Sequence, residues 1–256
     1  MHLDLPIPTR RQPARALPAQ ADTTAVHAAH AAQTAHDALA RTRHSVRAFL
    51  PTPVPLDCVR SLLQTARQAP SGANLQPGHF WLVQRPLRQQ LSDAVVHASR
   101  HGPEQAEDYD YFPRPMPMQL RKRQVAAAQA LYGQLGIARG DAAARQRHFE
   151  DNYRFFGAPV ALIVTIDAAM GAGCYMDLGM ALHALLLAAH ARGLGACAIG
   201  AFASFPDTVR SVLALPDAHK VVCGVALGHA DPAHPVNATR TAREPLASYF
   251  TVLGGG

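Results

Sequence analysis

The sequence has few cysteines, and their spacing excludes two common kinds of small-protein scaffold. Four cysteines (Cys58, Cys174, Cys197 and Cys223) are spread over 256 residues, and no two of them form a C-x-x-C pair. Such a pattern favours neither a disulfide framework nor a zinc site. We therefore expect no structural metal and a reducing, cytoplasmic environment.

Lysine is almost absent although the chain is basic. The 24 basic residues include only two lysines, Lys122 and Lys220, and the formal net charge is +6. A surplus of arginine favours partners with phosphate or carboxylate groups, because the guanidinium group binds such oxyanions through two hydrogen bonds. The arginines are scattered and aromatic residues make up only 6% of the chain, so we do not expect a nucleic-acid partner.

Long apolar runs are also lacking. The most apolar stretch, 180–191, is interrupted by His183 and His190, and it is shorter than the roughly 18 residues that cross a bilayer. The N-terminus has no apolar segment of the secretory type. These features predict a protein without a membrane partner.

The order of sequence patterns predicts one domain with a tail. Residues 1–24 are rich in Pro, Ala and Arg and have few large apolar side chains, so we expect a disordered tail followed by a domain over 25–256. Helical patterns cover 24–40, 58–68 (with Asp57 as its cap), 87–100, 119–133, 141–156, 176–192 and 206–213; strand patterns cover 78–84, 159–167, 196–202 and 220–227. This alternation favours a layered α/β or α+β fold. The helix at 176–192 is apolar almost all round, which predicts a central helix buried on every side.

An extended basic segment is the first candidate site. Arg43, Ser45 and Arg47 stand two residues apart, and prolines 51, 53 and 55 follow. In an extended chain alternate side chains lie on one face, so two guanidinium groups and a hydroxyl would converge there. These donors suit a phosphomonoester, although a solvated basic edge explains the same pattern.

A proline-bounded loop is the second candidate. The stretch Ala69-Pro-Ser-Gly-Ala-Asn-Leu-Gln-Pro77 follows an amphipathic helix and carries amide and hydroxyl donors. An asparagine amide offers both a donor and an acceptor to the edge of a heteroaromatic ring, and Gly72 lets a flat ligand approach the backbone.

Together these segments resemble the FMN-dependent nitroreductase family. The resemblance rests on Arg43-His-Ser-Val-Arg-Ala-Phe49, on the loop 69–77, and on later motifs: Phe156-Gly-Ala-Pro-Val160, Gly173-x-x-x-Asp177-x-Gly-Met180, Gly193-Leu-Gly195, Val222-Cys-Gly-Val-Ala-Leu-Gly-His229, and Asn237 with Arg243-Glu-Pro245. It covers about residues 40–252. The Tyr-Phe-Pro insertion at 111–113 is similar to that of the nitrobenzoate-reductase branch.

The resemblance implies a fold and an activity. The fold would be α+β, a three-layer α/β/α sandwich with a mixed, mostly antiparallel central sheet, a buried central helix and a helical or loop insertion at about 101–150. The activity would be NAD(P)H-dependent reduction of nitroaromatic, nitrobenzoate-like or quinone-like acceptors by a homodimer with FMN at the subunit interface. A nicotinamide and an acceptor that occupy the same flavin face in turn imply two-electron, ping-pong kinetics.

The resemblance also assigns residues. Arg43, Ser45 and Arg243 would bind the FMN phosphate, and Arg47 would approach the N1 and O2 edge of the ring. Pro70, Ser71 and Asn74 would come from the other subunit. Ala198, Ile199 and Gly200 match the segment that faces flavin N5, with the Gly200 backbone N–H at N5 itself.

Three positions depart from the family pattern. Gly78 and Tyr175 stand at usual Trp positions, and Ala198 stands where many members have Pro. Three alternatives to this activity stay open. They are a reductive dehalogenase, a flavin-cleaving enzyme of the same fold, and a non-turnover protein that binds or stores FMN.

Overall fold

The structure is a computed structural model that describes residues 23–254. The described chain falls into two units, the first ending at Arg41 and the second beginning at Thr42. Helix α1 (Thr23–Thr42) belongs to the first unit except for its last residue. The expected tail lies outside the described residues apart from Thr23 and Thr24, which begin α1.

The second unit contains six further helices and four strands. The helices are α2 (Leu56–Ala66), α3 (Leu87–His101), α4 (Met118–Gln134), α5 (Ala142–Glu150), α6 (Ala172–Ala191) and α7 (Pro206–Leu213). The strands are β1 (His79–Leu82), β2 (Val160–Asp167), β3 (Gly195–Ile199) and β4 (His219–Gly228). Every helix and strand expected from the sequence is present, with ends that differ by a few residues.

The strands form one sheet in the order β1-β2-β4-β3, and each neighbouring pair is antiparallel. Within residues 23–254, the parallel component is a single bridge that joins Ser45 to Ala196 at the β3 edge. The α+β class is therefore confirmed, and this bridge attaches the extended basic segment to the sheet.

Helices cover both faces of the sheet because alternate side chains of each strand point to opposite faces. In β2, Ala161 and Ile163 pack into the core beneath α3 and α7. Leu162 and Val164 pack into the core beneath α2 and α6. The buried strand and the two helical layers make the expected three-layer arrangement.

Helix α6 is not buried on every side in the described chain, which corrects the sequence-based expectation. Leu178, Ala181, Leu185 and Ala189 face the core, whereas the Met176 side chain is 67% exposed. Among the described helices, α6 alone is long and apolar enough to cross a membrane by length and composition. A helix that is apolar all round but half covered needs a further apolar partner for its open face.

Two helix ends differ from the sequence expectation for local reasons. Helix α2 has Pro55 at its N-cap, and Asp57 accepts a hydrogen bond from Arg60 (2.9 Å) instead of capping. Helix α5 ends at Glu150, not at 156: residues 151–154 form turns, and Phe155 and Phe156 then have positive φ angles of 52° and 53°. Left-handed residues cannot continue a right-handed helix.

Candidate functional site

The basic segment runs extended along the open edge of β3. The Val46 N–H donates to the carbonyl of Ala196 (3.1 Å), and Val46 and Ala48 are buried. The side chains of Arg43, Ser45 and Arg47 are half-buried. The alternation expected of an extended chain is therefore present, and it directs the apolar residues inward and the polar residues outward.

Arg43, Ser45 and Arg47 surround one buried thiol. Burial raises the pKa of Cys197, while the charges of Arg47 and Arg43 and a hydrogen bond with Ser45 act in the opposite direction. Cys197 is 2% exposed. Two guanidinium groups and a hydroxyl thus lie in one neighbourhood at the β3 edge, while the raised pKa keeps the thiol protonated and unreactive.

A buried asparagine holds the Arg47 backbone in place. Asn237 Oδ1 accepts from the Arg47 N–H (2.9 Å), and its Nδ2 donates to the carbonyls of Ala48 (2.8 Å) and Asp231 (2.9 Å). Asn237 is 8% exposed. A buried amide whose hydrogen bonds are all satisfied fixes the groups that it contacts. The Arg47 backbone is therefore held in place independently of the Arg47 side chain.

The end of β3 brings three predicted residues to the same edge. Ala198 is exposed, Ile199 is buried at 2% exposure, and Gly200 begins a 3-10 turn. The Ile199 side chain points into the core, so only its backbone is open to a ligand. A Cβ placed on Gly200 would lie 2.6 Å from Cζ of Tyr111. A side chain at this position would therefore displace the Tyr111 ring from the backbone of Gly200.

The insertion loop reaches Gly200 because it is hydrogen-bonded to β4 beyond the end of β3. Asp108 accepts from the Val221 N–H (2.7 Å) and from Arg210 (2.6 Å), and the Tyr109 hydroxyl donates to the carbonyl of Val222 (2.8 Å). Burial raises the pKa values of both Tyr109 and Tyr111. These tyrosines are therefore neutral hydrogen-bonding and stacking groups at physiological pH.

The loop 69–78 has an unusual backbone and an exposed surface. Ala73, Asn74 and Gln76 have φ angles of 49°, 56° and 48°, and residues 72–76 are exposed. Left-handed conformations cost roughly 1–3 kcal/mol for non-glycine residues and persist where surrounding contacts enforce them. The Gly72 N–H donates to Asp177 (3.1 Å), and Ser71 Oγ accepts from the Gln76 N–H (2.9 Å).

The two candidate segments lie at different ends of α6. The loop contacts Asp177 near the start of the helix, whereas Thr42, next to Arg43, hydrogen-bonds His190 near its end (2.8 Å). The two anchors are thirteen positions apart in the helix, which corresponds to roughly 20 Å along the axis. One chain therefore does not bring Asn74 together with Arg43.

Arg243 lies in a separate cleft of about 710 Å³, lined by Arg123, Ala126, Ala127, Ala130, Arg240, Thr241, Ala242, Arg243 and Glu244. It is exposed and donates to Thr241 Oγ1 (2.8 Å). Arg240 is nearer to the basic segment. Burial lowers the pKa of His44, and the charges of Arg240 and Arg43 act in the same direction.

These residues fit a phosphate-bearing flavin on three observations. The guanidinium groups of Arg43 and Arg240 with the Ser45 hydroxyl are a donor set for a phosphate, and Arg47 adds a further cation beside them. Gly200 is half-buried at the end of β3, and its missing Cβ lets a ring approach the backbone closely, as Tyr111 does. The Thr239 hydroxyl is buried without a hydrogen-bond partner in the described chain, and an unpaired buried hydroxyl costs free energy until it is satisfied.

Sequence reasoning missed Arg240, and it gave Arg67 and Asp108 no role. Arg240 lies three residues before the predicted Arg243, and nothing in the sequence distinguishes the two. Arg67 donates to the carbonyls of Gln76, Pro77 and Gly78. Contacts between a side chain and distant backbone leave no signal in a single sequence.

Comparisons with known proteins agree with this architecture. The model of the Nitroreductase family matches residues 40–229. A 4-nitrobenzoate reductase of Nocardioides sp. (strain LMS-CY) is 35% identical over 222 residues, covering 86% of this chain and 90% of the relative. A 4-nitrobenzoate reductase of Pseudomonas putida is 37% identical over 219 residues, covering 86% and 95%.

Solved structures with the same fold include two flavoenzymes. The FMN and NADPH-dependent nitroreductase NfnB of Sphigopyxis sp. strain HMH has a TM-score of 0.82 and 38% identity, covering 86% of this chain and 99% of that one. The FMN-dependent NfnB of Mycobacterium smegmatis, solved in complex with NADPH, has a TM-score of 0.80 and 30% identity, covering 86% and 98%.

Proposed function

Because this chain belongs to the nitroreductase family, we propose that it is an FMN-dependent oxidoreductase that uses NAD(P)H to reduce nitroaromatic compounds, nitrobenzoates among them. The observation that carries the proposal is the group formed by Arg43, Ser45 and Arg47 along the edge of β3, with Gly200 at the end of that strand. The fold shared with NADPH-dependent nitroreductases supports the same conclusion.

The residues divide into phosphate-binding and ring-binding groups. Arg43, Ser45 and Arg240 would bind the FMN phosphate through charge-assisted hydrogen bonds, with Arg243 as a further cation. Arg47 would lie at the N1 and O2 edge of the ring, its backbone held by Asn237. Ala198 and the backbone of Ile199 and Gly200 would lie along the N5 side.

Bound FMN would supply two-electron chemistry between a reduced nicotinamide and the acceptor. The protein contributes position and charge. A fixed Arg47 favours the negatively charged reduced cofactor, and the Gly200 N–H orients the ring at N5. Tyr111 restricts the space in front of Gly200.

We further propose that the active protein is a cytoplasmic homodimer with FMN at the subunit interface. Met176 of α6 is 67% exposed, on the face of the helix that we call the Met176 face (Ala172, Met176, Gly179 and His183), and Leu246, Tyr249, Phe250, Val252 and Leu253 near the C-terminus are 57–89% exposed. Apolar surface of this extent is typical of a protein-protein interface. Pro70, Ser71 and Asn74 would then contact the flavin held by the other subunit's Arg43, since the same chain's Arg43 is too far away.

Spectroscopy tests the function directly. The purified protein should be yellow, lose its flavin absorbance on anaerobic addition of NADPH or NADH, and regain it with 4-nitrobenzoate. Retention of FMN without bleaching by either nicotinamide would indicate a binding or storage protein. Bleaching that a halogenated phenol but no nitroaromatic reverses would indicate a dehalogenase. Loss of the flavin chromophore itself during turnover would indicate cleavage. Light scattering on a gel-filtration eluate tests the dimer.

A further inference from the structure

The exit of the loop 71–78 (the residues from Ser71 to Gly78) is fixed by one side chain of α2. Arg67 Nη1 donates to the carbonyls of Gln76 (2.6 Å) and Pro77 (3.1 Å), and Nη2 donates to the carbonyl of Gly78 (2.9 Å). Three consecutive carbonyls therefore point at one guanidinium group. A cationic donor makes each of these hydrogen bonds stronger than a neutral donor would.

Arg67 is itself well placed to hold this position. It is the C-cap of α2, and its backbone N–H donates to the carbonyl of Leu63 (3.0 Å). A positive charge at a helix C-terminus is favourable. On the opposite side, a Cβ on Gly78 would overlap the Leu178 side chain of α6. The loop exit is thus enclosed between α2 and α6.

The carbonyls that Arg67 holds begin at Gln76, the last residue of the exposed, left-handed part of the loop. Asn74 and Gln76 have positive φ angles, and residues 72–76 are exposed in the single chain. The Asn74 backbone is bonded within the loop: its N–H donates to the carbonyl of Ser71 (3.0 Å), and its carbonyl accepts from Gln76 Nε2 (3.4 Å). Because Asn74 is exposed, its side chain is open to a ligand or a second subunit.

We propose that Arg67 is a positioning residue for FMN bound in the partner subunit. By holding the carbonyls of residues 76–78, it keeps the loop in the left-handed conformation that presents Ser71 and Asn74 across the interface. This inference rests on the proposed function, since it takes the composite flavin site as given. Arg67 does not touch the cofactor itself.

Two variants of the full-length protein and one matched control test the proposal. Arg67→Met retains much of the side-chain volume and removes every donor, and Arg67→Lys retains the charge with fewer, less directed donors. Arg60→Met removes a guanidinium from the same helix whose partner is the exposed Asp57. We expect FMN affinity of the apoprotein to fall at least tenfold for Arg67→Met and two- to fivefold for Arg67→Lys. Affinity should stay within twofold for Arg60→Met.

Hydrogen exchange and a mixed dimer separate positioning from a general loss of structure. Exchange of the apoprotein should accelerate in residues 71–78 of Arg67→Met and stay unchanged in the sheet. A dimer of one Arg67→Met and one Arg43→Ala subunit should hold one FMN with wild-type affinity, because both lesions fall in the same pocket. If Arg67→Met does not fold, Arg67→Lys takes its place in both measurements.

Three results would overturn the inference. The first is an FMN affinity of Arg67→Met within twofold of wild type. The second is unchanged hydrogen exchange in residues 71–78 of that variant. The third is a mixed dimer in which neither pocket binds FMN with wild-type affinity. Wild-type protein that binds no FMN would instead overturn the proposed function, so the two failures are distinguishable.

Discussion

Single residues decide the phosphate end of the site, and Arg243 is the most direct of them to test because it is exposed. We expect Arg243→Ala to weaken FMN binding about 10- to 100-fold, since a hydrogen bond to a charged group contributes roughly 1.5–3 kcal/mol. Because Arg243 is exposed and bonds mainly within 241–242, the fold should be unaffected. Equilibrium dialysis of FMN measures the change.

Arg240→Ala is the comparison for that variant. Arg240 donates to the carbonyls of Asn237 (2.8 Å) and Thr239 (2.9 Å) and lies near His44. If FMN retention falls for Arg240→Ala but not for Arg243→Ala, then Arg240 binds the phosphate and Arg243 does not.

A buried carboxylate gives a pH prediction at the same scale. Glu150 is 1% exposed, and hydrogen bonds from Arg100 (2.7 and 2.5 Å) are the main cause that lowers its pKa to about 2 from an ordinary value of 4.5. A depressed pKa in the folded state stabilises the protein above the unfolded-state value. That stabilisation is lost as the pH falls from about 4.5 towards 2.

We therefore expect Glu150→Gln to lower the melting temperature by roughly 5 °C at pH 7, with a smaller difference from wild type at pH 3. Calorimetry at both pH values measures it. Glu104→Gln, a change to an exposed carboxylate of the insertion loop, is the control. An equal difference at pH 7 and pH 3 would contradict the role of the ionised Glu150.

At the scale of elements, the insertion loop depends on its hydrogen bonds to β4. Asp108→Ala removes the acceptor of both Val221 N–H and Arg210, so we expect faster exchange of the Val221 amide. The nitroaromatic KM should rise severalfold because Tyr111 loses its support over Gly200. Asp110→Ala, in the same loop and exposed, should change neither quantity. If KM rises while exchange of the Val221 amide is unchanged, Asp108 does not act through its hydrogen bond to β4.

The elements also show what local sequence determines. Helix α7 matches the expected span from Pro206 to Leu213, because proline at its first position and a left-handed Ala214 mark both ends. Asp57 was wrongly expected to cap α2, since Pro55 already ends the extended segment there. The docking of the loop 69–78 on Asp177, over a hundred residues away, depends on tertiary packing.

For the whole molecule, the composite site makes the sharpest prediction. Arg43→Ala and Asn74→Ala should each damage both pockets of a homodimer. In a mixed dimer, two-fold symmetry puts both changes in one pocket and leaves the other intact. The apolar Met176 face of α6 is the kind of surface that would let such subunits associate.

Co-refolding equal amounts of the two weakly active variants should give half mixed dimers, each with one intact pocket of two. Recovered activity should then be roughly a quarter of wild type. Differential tags on the two variants verify that subunits have exchanged, and refolded mixtures of each variant with itself are the controls. With exchange verified, activity no higher than the mean of the parents would mean that Arg43 and Asn74 do not serve one flavin from two subunits. The roughly 20 Å that separates their anchors along α6 would then leave Asn74 without a place in the site.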